Sequence, residues 1–519
     1  MSLVTVISYV LYVSSQSEQG LTYFCEREEY GRANEVTCCA WVVDVFAWGL
    51  LLSTVAFSCL YIYGFVFVGW GQFAVPFSSI ILNVMYMSGQ MLVKDTQLEV
   101  AIEETRIAMS YTELKEKQRE AITAFVRGRD TIVLLPTGYG KSIIFSMLPL
   151  VFDKLKGCKG SIVVCVSPLT FLMMDQRTKL SPRGISCEFV GEAQCNETVI
   201  KEVLSGRVQL VFISPENLIG NPLYRNMLLK PRYKENLVAL VVDEAHCIKT
   251  WGNDFRVAFA HIGDIRSVIP EEVHVMAVTA TATRSTYDCI LHCLSMNDVA
   301  VIALPPNRSN IQYSVQTMTT IEDFSATMSS QLMKEGTDMV KTVVFCRKYL
   351  DCTMLYFSLK RKLGKYLTQP VGAPNLQEFR LVDLYTSAST VEMREKLLTT
   401  FARAESTLRL LIATTAFGMG VDCKDIYRVF HWSPPREIEE YVQETGRAGR
   451  DGHRSQAILI YGNVHKTVSS RMKDYGENSV CCRREMLFSD FMFSVDKDPV
   501  AGCQCCDVCA MVCRHEECS

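Results

Sequence analysis

The chain contains 519 residues, of which 49% are hydrophobic and 21% are charged, and its net charge is −3 at neutral pH. This length suggests about three domains when an average domain has roughly 150 residues. The composition is that of a globular protein, which excludes a chain that is disordered throughout. Because the net charge is slightly negative, composition gives no sign of a polyanionic partner, and nucleic-acid binding has to be argued from motifs.

The first 95 residues are the most apolar part of the chain. No charged residue lies between Asp44 and Lys94, and such a stretch is long enough to cross an apolar layer of about 30 Å twice. We expect residues 1–95 to be either an extension with a transmembrane hairpin over residues 45–93 or a spurious segment, since no later motif requires them. Association with a membrane depends on which alternative holds.

Cysteine is frequent in this sequence, with 22 residues. Ten cysteines are scattered over residues 158–423 inside strand-like and helix-like runs, which is typical of buried free thiols in a reducing compartment. Eight more lie within residues 481–518, where their close spacing suggests a metal site.

From about residue 112, short β-branched runs alternate with longer helix-like segments, which is typical of an α/β domain. We assign residues 112–304 to this first lobe and expect its functional residues at the carboxyl ends of parallel strands. Five apolar runs predict these buried strands, at residues 131–135, 161–166, 208–213, 237–242 and 273–278.

A phosphate-binding pattern follows the first predicted strand, with the residues Pro136, Thr137, Gly138, Tyr139, Gly140, Lys141 and Ser142. Glycines let backbone N–H groups approach phosphate oxygens, and the helix predicted next offers its positive end. Lys141 is predicted to contact the β and γ phosphates of ATP, and Ser142 to bind Mg²⁺.

The fourth predicted strand ends in an acidic pair, Asp243 and Glu244. An isolated pair of this kind could simply cap the next helix. Behind a phosphate-binding loop, however, it predicts catalytic chemistry, in which Asp243 binds Mg²⁺ and Glu244 polarises the attacking water.

Several segments resemble the first-lobe motifs of the RecQ family of DNA helicases, namely SPLTFLMMDQ (167–176), SPE (214–216), DEAHCIKTWGNDFR (243–256) and AVTATAT (277–283). The resemblance implies that Gln118 contacts adenine. It also implies a set of residues that contact single-stranded DNA, since aromatic rings stack on bases and arginine pairs with phosphate: Ser167, Trp251, Phe255 and Arg256. Asn253 and Val257 depart from the family, where histidine and proline are usual.

Strand-like runs recur later in the chain and predict a second α/β lobe over residues 305–465, with strands at residues 342–346, 380–385, 408–414, 428–432 and 457–461. Its segments ATTAFGMGVD (413–422) and QETGRAGRDG (443–452) resemble motifs V and VI of the same family. Arg308 and Asn310 resemble the family's linker between the lobes. Thr386 departs from the family, which has a Tyr-His pair at this point.

The motifs of the second lobe imply residues that complete the nucleotide site. Gly420 and Asp422 are expected at the nucleotide, and Arg450 is expected to be an arginine finger, with Arg447 in support. A phosphoryl group in transit spreads charge over its oxygens, and an arginine from a second lobe can raise the rate by about 10³ to 10⁵.

A cysteine-rich subdomain is predicted over residues 466–519. Thiol ligands at two-residue spacing suit structural Zn²⁺, although spacing alone leaves the choice of ligands open among neighbouring cysteines. The resemblance to the RecQ zinc-binding subdomain implies the set Cys482, Cys503, Cys506 and Cys509. Because the sequence ends at Ser519, where many relatives continue into a winged-helix domain, we expect less processive strand separation.

The fold class that we predict is α/β, with two tandem RecA-like lobes, parallel sheets, a zinc-binding subdomain and an apolar N-terminal segment. The family resemblance implies a nuclear, ATP-dependent 3′-to-5′ DNA helicase that acts on single-stranded and forked DNA and uses ATP, Mg²⁺ and Zn²⁺. Two alternatives are an RNA helicase of the same fold and a nucleic-acid-binding scaffold with little unwinding. The intact residues Lys141, Asp243, Glu244 and Arg450 argue against the scaffold.

Overall fold

A computed structural model describes residues 95–191, 194–251, 256–386, 388–418, 423, 425–462, 466–492 and 502–513. All described residues belong to one compact unit, Asp95–Ser519. The hairpin that we predicted over residues 45–93 therefore lies outside the described residues. Within the described part of the chain, no helix is both long and apolar enough to span a bilayer.

The first lobe is built on a seven-stranded sheet, whose strands are β1 (Thr131–Leu134), β2 (Ile162–Val166), β3 (Cys187–Val190), β4 (Leu210–Ile213), β5 (Leu237–Asp243), β6 (His274–Thr279) and β7 (Ala300–Ala303). The order is β3-β4-β2-β5-β6-β1-β7, and every strand pairing is parallel. Consecutive strand residues such as Ile132 and Val133 lie in two separate hydrophobic clusters, so both faces of the sheet are covered.

The helices of this lobe are α1 (residues 95–108), α2 (Glu116–Val126), α3 (Lys141–Lys156), α4 (Thr170–Leu180), α5 (Glu197–Leu204), α6 (Pro215–Gly220), α7 (Pro222–Leu228), α8 (Pro231–Asn236), α9 (Cys247–Trp251) and α10 (Arg284–Cys293). Short polar side chains begin several of them. Asn196 accepts a hydrogen bond from the Thr198 N–H at the start of α5, and Thr283 accepts from the Thr286 N–H at the start of α10. Such caps satisfy N–H groups that have no partner inside the helix.

Helix α1 belongs to the first lobe, although we predicted that this lobe begins at residue 112. Leu98, Ile102 and Met109 are buried in the same cluster as Phe125 of α2. Their spacing places them on one face of a helix, which is the reason that the segment packs against the lobe. The first lobe therefore extends at least to residue 95.

The second lobe has a six-stranded sheet, whose strands are β8 (Ile311–Thr317), β9 (Thr342–Cys346), β10 (Val382–Tyr385), β11 (Leu410–Ala413), β12 (Arg428–Trp432) and β13 (Ser455–Tyr461). The order is β10-β11-β9-β12-β13-β8, again with parallel pairings throughout. Its main helices are α11 (Ile321–Glu335), α12 (Tyr349–Leu363), α13 (Val391–Ala402) and α14 (Ile438–Thr445). The two sheets confirm the predicted tandem α/β lobes.

The sheet order of the first lobe brings two predicted motifs together. Leu134 at the end of β1 pairs with Thr279 of β6, and Asp243 at the end of β5 pairs with Val278 of β6. Since β6 lies between β1 and β5, the loops that follow β1 and β5 emerge at the same edge of the sheet. The phosphate loop and the acidic pair therefore lie side by side.

A small C-terminal subdomain packs against β8 with its helices α15 (Ser470–Glu477), α16 (Arg483–Phe488), α17 (Gly502–Cys505) and α18 (Asp507–Met511). The Val315 N–H of β8 donates 2.9 Å to Asp507 Oδ2. Arg484 donates 2.8 Å to the carbonyl oxygen of Arg308 and also contacts the Asn307 side chain. The subdomain thus anchors the segment that joins the two lobes.

Candidate active site between the two lobes

The phosphate loop connects β1 to α3. Gly138 and Gly140 adopt φ values of +85° and +91°, a left-handed conformation that favours glycine. Helix α3 begins at Lys141, and no side chain caps its first turn. The Ile143 N–H donates 3.1 Å to the carbonyl oxygen of Gly140. The N–H groups of Lys141 and Ser142, in contrast, precede the first intrahelical hydrogen bond and are available to an anion such as a nucleotide phosphate.

Lys141 lies inside the loop, where its Nζ donates 3.1 Å to the carbonyl oxygen of Leu135. Burial lowers the pKa of Lys141, and the carboxylates of Glu244 and Asp243 oppose that shift. The ammonium group is thus positioned between the loop and the two predicted catalytic acids.

Gln118 is buried against the same loop. Its Nε2 donates 3.0 Å to each of the carbonyl oxygens of Tyr139 and Gly140, while its Oε1 accepts 2.9 Å from the Lys115 N–H. A Cβ atom on Gly140 would lie 2.6 Å from Gln118 Nε2, so a larger residue does not fit there. Gln118 therefore supports the loop directly, and its contact with adenine stays a prediction.

The acidic pair at the end of β5 has an unusual environment. Burial, together with the adjacent Glu244 charge, raises the pKa of Asp243 to about 7, although Lys141 opposes the shift. Glu244 has a φ of +50°. Its Oε2 lies 3.4 Å from His246 Nδ1 and has no hydrogen-bond donor among the described residues. A buried oxygen of this kind can accept a hydrogen bond from water.

Two arginines of the second lobe extend into the site. A Cβ atom on Gly138 of the phosphate loop would lie 3.8 Å from Arg450 Cδ. Arg447 is buried, and burial together with the Arg450 charge lowers its pKa to about 9, while Glu244 acts in the opposite direction. The structure therefore brings together the loop, the acidic pair and both predicted arginines.

Arg308 bridges the two lobes at the same point. Its NH2 group donates 2.8 Å to the carbonyl oxygen of Thr137, and its NH1 group donates 3.2 Å to that of Ala448. The linker residue therefore contacts both the phosphate loop and the loop that carries Arg447 and Arg450. The sequence indicated a linker at Arg308 but not this bridge.

Only some of the residues predicted to contact nucleic acid lie in the described part of the chain. Arg256 forms a two-point ion pair with Glu216, with Nε 2.6 Å from Oε1, and it also donates to the carbonyl oxygen of Pro168. Ser167 is buried at the end of β2, so its contact with nucleic acid stays a prediction. Phe255 and the side chain of Trp251 lie outside the described residues, as do Gly420 and Asp422 of the second lobe.

A cleft of about 980 Å³ separates α9 of the first lobe from the carboxyl ends of β9, β11 and β12. Four cations line it, at Lys249, Arg347, Lys348 and Arg436. Burial lowers the pKa of Arg347, and the nearby positive charge of Arg436 lowers it further. The same cleft is also lined by four acids, Glu437, Glu439, Glu440 and Glu444. It therefore carries both signs of charge, and its cations offer individual contacts to a phosphate backbone rather than a uniformly positive surface.

A buried pair of titratable side chains lines the floor of this cleft. His431 Nε2 lies 2.8 Å from Glu444 Oε2, and both residues are almost fully buried. Burial raises the pKa of Glu444 to about 8 and lowers the pKa of His431 to about 3. Near neutral pH the pair is therefore a protonated carboxyl beside a neutral imidazole.

A cluster of thiols in the C-terminal subdomain could hold a metal ion. It consists of Cys482, Cys505, Cys506 and Cys509, whose sulfur atoms all lie within 4.8 Å of one another. Cys482 Sγ is 3.5 Å from Cys505 Sγ. Tetrahedral Zn²⁺ with Zn–S bonds near 2.3 Å requires sulfur atoms about 3.8 Å apart, so the cluster fits this ion.

The thiols that cluster differ from the predicted ligand set in one member, because Cys505 lies in the cluster where we expected Cys503, and the choice of ligand stays a prediction. The two cysteines lie two positions apart in the helical turn α17, and side chains at that spacing point to different sides. Cys503 instead lies at the β8 side, where its carbonyl oxygen accepts 2.7 Å from Gln312 Nε2.

Comparisons with known proteins agree with this site. The family described as DEAD/DEAH box helicase matches residues 115–289, and the helicase conserved C-terminal domain matches residues 331–452. The solved structure of Dbp5 from Saccharomyces cerevisiae, bound to RNA and ADP BeF3, covers 73% of this chain and 91% of its own at a TM-score of 0.54 and 16% identity, which supports the fold alone. The two family matches fall on the two lobes, so the chain contains both domains that DEAD/DEAH box helicases have.

Comparison with individual proteins of similar sequence shows which kind of helicase this chain resembles. The ATP-dependent DNA helicase RecQ of Pasteurella multocida is 29% identical over 434 residues, which cover 79% of this chain and 62% of that protein. The bifunctional 3′-5′ exonuclease/ATP-dependent helicase WRN of Mus musculus is 29% identical over 75% of this chain and 27% of its own length. Over about three quarters of its length the chain is therefore similar to helicases of the RecQ family. It spans less than two thirds of these relatives.

Proposed function

We propose that this protein is an ATP-dependent DNA helicase that moves along one strand of DNA. The observation that carries the proposal is the position of Arg450, which extends from the second lobe to Gly138 in the phosphate loop of the first. A nucleotide site that is complete only when both lobes meet makes hydrolysis depend on their separation. Cycles of closure and opening can then move a bound strand forward.

The side chains of the site have distinct roles in this proposal. The N–H groups at the start of α3 bind the phosphates, and Lys141 compensates their charge. The unpartnered Oε2 of Glu244 orients the attacking water. Arg450 stabilises the negative charge that develops on the phosphoryl oxygens, and Arg447 and Arg308 hold its loop in place.

Mg²⁺ is the metal that this arrangement suits. The carboxyl of Asp243 is buried beside a second acid, and burial together with the charge of Glu244 raises its pKa. Oxygen ligands from Asp243 and Ser142 match the preference of this ion. When bound, Mg²⁺ would neutralise charge on the phosphate oxygens.

The cleft between the lobes is our candidate for the path of the strand, because cations from both lobes line it. Lys249 comes from the first lobe, whereas Arg347, Lys348 and Arg436 come from the second, so a strand in the cleft would contact both lobes. Backbone contacts of this kind bind DNA and RNA alike. The choice of DNA rests on those relatives that are named DNA helicases, such as the RecQ proteins of Pasteurella multocida and Haemophilus influenzae.

Finer features of the proposal rest on the similarity to the RecQ family. These are 3′-to-5′ polarity, a preference for single-stranded and forked DNA, Zn²⁺ at the thiol cluster, and a nuclear location. Free buried thiols, such as Cys165, Cys247 and Cys346, suit a reducing compartment of this kind. Contact with a membrane is proposed only if residues 45–93 insert.

Strand displacement by the full chain tests the proposal. DNA duplexes with a 3′ tail, a 5′ tail or no tail, and RNA duplexes of the same sequence, are offered with ATP and Mg²⁺. We expect displacement of the 3′-tailed DNA and little of the others, with loss of activity in Lys141→Ala and full activity in the exposed control Arg361→Ala. Preferential displacement of RNA would establish the RNA helicase instead. Binding without displacement or hydrolysis would support a scaffold.

A further inference from the structure

We propose that Glu439 is a positioning residue that fastens the second lobe to the first and so sets the position of Arg447 and Arg450 at the nucleotide site. The inference rests on the proposed ATPase activity. It adds a specific contact through which the relative position of the two lobes controls the rate of ATP hydrolysis. Glu439 lies in the first turn of α14 and lines the cleft between the lobes.

The contact joins one carboxylate oxygen to three donors of the other lobe. Glu439 Oε1 accepts 2.7 Å from the Thr283 N–H, 2.5 Å from Thr283 Oγ1, and a further hydrogen bond from Thr286 Oγ1. Its second oxygen, Oε2, lies 3.7 Å from Lys249 Nζ. Hydrogen bonds to an ionised group are among the strongest in proteins.

Glu439 keeps its charge although only 5% of the residue is exposed. Burial alone would raise its pKa, but the hydrogen bonds from Thr283 and Thr286 and the charge of Lys249 bring the pKa below its ordinary value. A buried carboxylate without these donors is strongly disfavoured. The carboxylate therefore favours the arrangement of lobes in which the threonines surround it.

The first-lobe side of this contact is itself firmly held. Thr283 caps helix α10 and forms an antiparallel bridge with Phe491 of the C-terminal subdomain. The next N–H, of Arg284, donates 3.1 Å to the carbonyl oxygen of Asp490. The loop that ends at Thr283 follows β6, the strand that lies between the phosphate loop and the acidic pair. Glu439 thus binds a fixed point beside the nucleotide site.

Helix α14 connects Glu439, which is bound to the first lobe, to the two arginines. It has eight residues, and Tyr441 and Val442 are buried in the core of the second lobe, so the helix moves with that lobe. Arg447 and Arg450 follow its C-terminal end. Eight residues of helix span about 12 Å, which is a short and stiff connection. Fastening the first turn therefore restricts where the arginines lie relative to Lys141.

ATP hydrolysis by the full chain with saturating single-stranded DNA separates this role from a merely structural one. We expect Glu439→Ala to lower kcat by about 100-fold, because small displacements of catalytic groups have large effects on rate. KM for ATP should stay within about twofold, since the phosphate loop is unchanged. Glu439→Gln keeps an acceptor oxygen and should recover part of the lost rate.

Two further variants keep the inference falsifiable if Glu439→Ala is unstable. Thr286→Val removes one donor and should lower kcat in the same direction, and combining it with Glu439→Ala should add nothing, because both changes break one contact. Glu405→Gln, an exposed acid of the second lobe, is the matched control and should leave kcat unchanged. Normal kcat in Glu439→Ala, or additive losses in the double variant, would overturn the inference.

Small-angle X-ray scattering provides a readout that does not depend on hydrolysis. A larger radius of gyration for Glu439→Ala than for the unsubstituted chain is expected if the contact holds the lobes together. Absence of hydrolysis in the unsubstituted chain would refute the proposed function but not this contact. An unchanged radius of gyration would refute the contact itself.

Discussion

The guanidinium group of Arg308, in the segment between the lobes, donates a hydrogen bond of 2.8 Å to the carbonyl oxygen of Thr137 in the phosphate loop. The same group donates 3.2 Å to Ala448, next to Arg447. One side chain therefore joins the nucleotide-binding loop of the first lobe to the arginine-bearing loop of the second. The C-terminal subdomain holds this linker from the other side through Arg484.

We predict that Arg308→Ala lowers kcat/KM for ATP by roughly tenfold or more, since a hydrogen bond from a charged group contributes about 1.5–3 kcal/mol. Arg308→Lys should recover little, because an ammonium group cannot reproduce the fork of a guanidinium. Steady-state hydrolysis by the full chain measures both effects, with the exposed Arg361→Ala as control. Full activity in Arg308→Ala would show that the bridge is dispensable.

A second prediction concerns pH and the buried carboxyl of Glu444. The pKa of Glu444 in the folded chain is about 8, above its ordinary value of 4.5. The protonated carboxyl therefore contributes fully to the free energy of unfolding below pH 4.5, and this contribution is lost as the pH rises through about 8. Glu444→Gln has no proton to lose. We expect the variant to unfold at a temperature about 2–4 °C above the unsubstituted chain at pH 8, and the difference to shrink at pH 5.

Thermal unfolding followed at both pH values tests this sign. Asp243 titrates in the same range but is common to both proteins and cancels in the difference. Burial and the charge of Glu444 raise the pKa of Glu440 to about 7, so removing that charge lowers the pKa of Glu440 and adds to the gain in stability of the variant at pH 8. The exposed Glu405→Gln should show no pH-dependent difference. A Glu444→Gln variant that gains stability at pH 5 rather than at pH 8 would contradict a protonated Glu444.

The thiol cluster yields a third prediction, which compares Cys505 with Cys503. The structure places Cys505 with Cys482, Cys506 and Cys509. Cys505→Ser should therefore lose most bound zinc, whereas Cys503→Ser should retain about one ion per chain, as four ligands close a structural site. Metal analysis of the purified variants measures the difference. Loss of zinc in Cys503→Ser alone would instead favour the ligand set implied by the family.

A fourth prediction tests whether α1 belongs to the first lobe. Ile102 is fully buried, whereas 62% of Ile107 in the same helix is exposed. Ile102→Ala should lower the free energy of unfolding by about 2–5 kcal/mol, through lost burial and a new cavity. Ile107→Ala should change it by less than about 0.5 kcal/mol. Equal effects of the two substitutions in urea unfolding would show that α1 does not pack as described.

Central strands could be predicted from the sequence, whereas among the four edge strands only β10 could be predicted, from the run at residues 380–385. The run at residues 342–346 coincides with β9, because a strand buried on both faces is apolar throughout. Strands β3, β7 and β8 lie at or near sheet edges and contain polar or partly exposed positions. Without a continuous apolar run, periodicity does not separate such strands from loops.

The phosphate loop and the acidic pair could also be predicted, since each motif is contiguous in sequence. The contacts between lobes could not, because Thr283 and Glu439 are 156 positions apart and only folding brings them together. The zinc ligands illustrate a different limit. Closely spaced cysteines leave several sets open, and local helix geometry decides between Cys503 and Cys505.

The most direct test of the account is ATP hydrolysis by the full chain with Mg²⁺, measured with and without single-stranded DNA. Lys141→Ala changes the phosphate loop, and Glu244→Gln changes the acidic pair. The account predicts hydrolysis that DNA stimulates, and its loss in both variants while nucleotide binding persists in Glu244→Gln. A folded, zinc-loaded chain that binds DNA but hydrolyses no ATP would contradict the account.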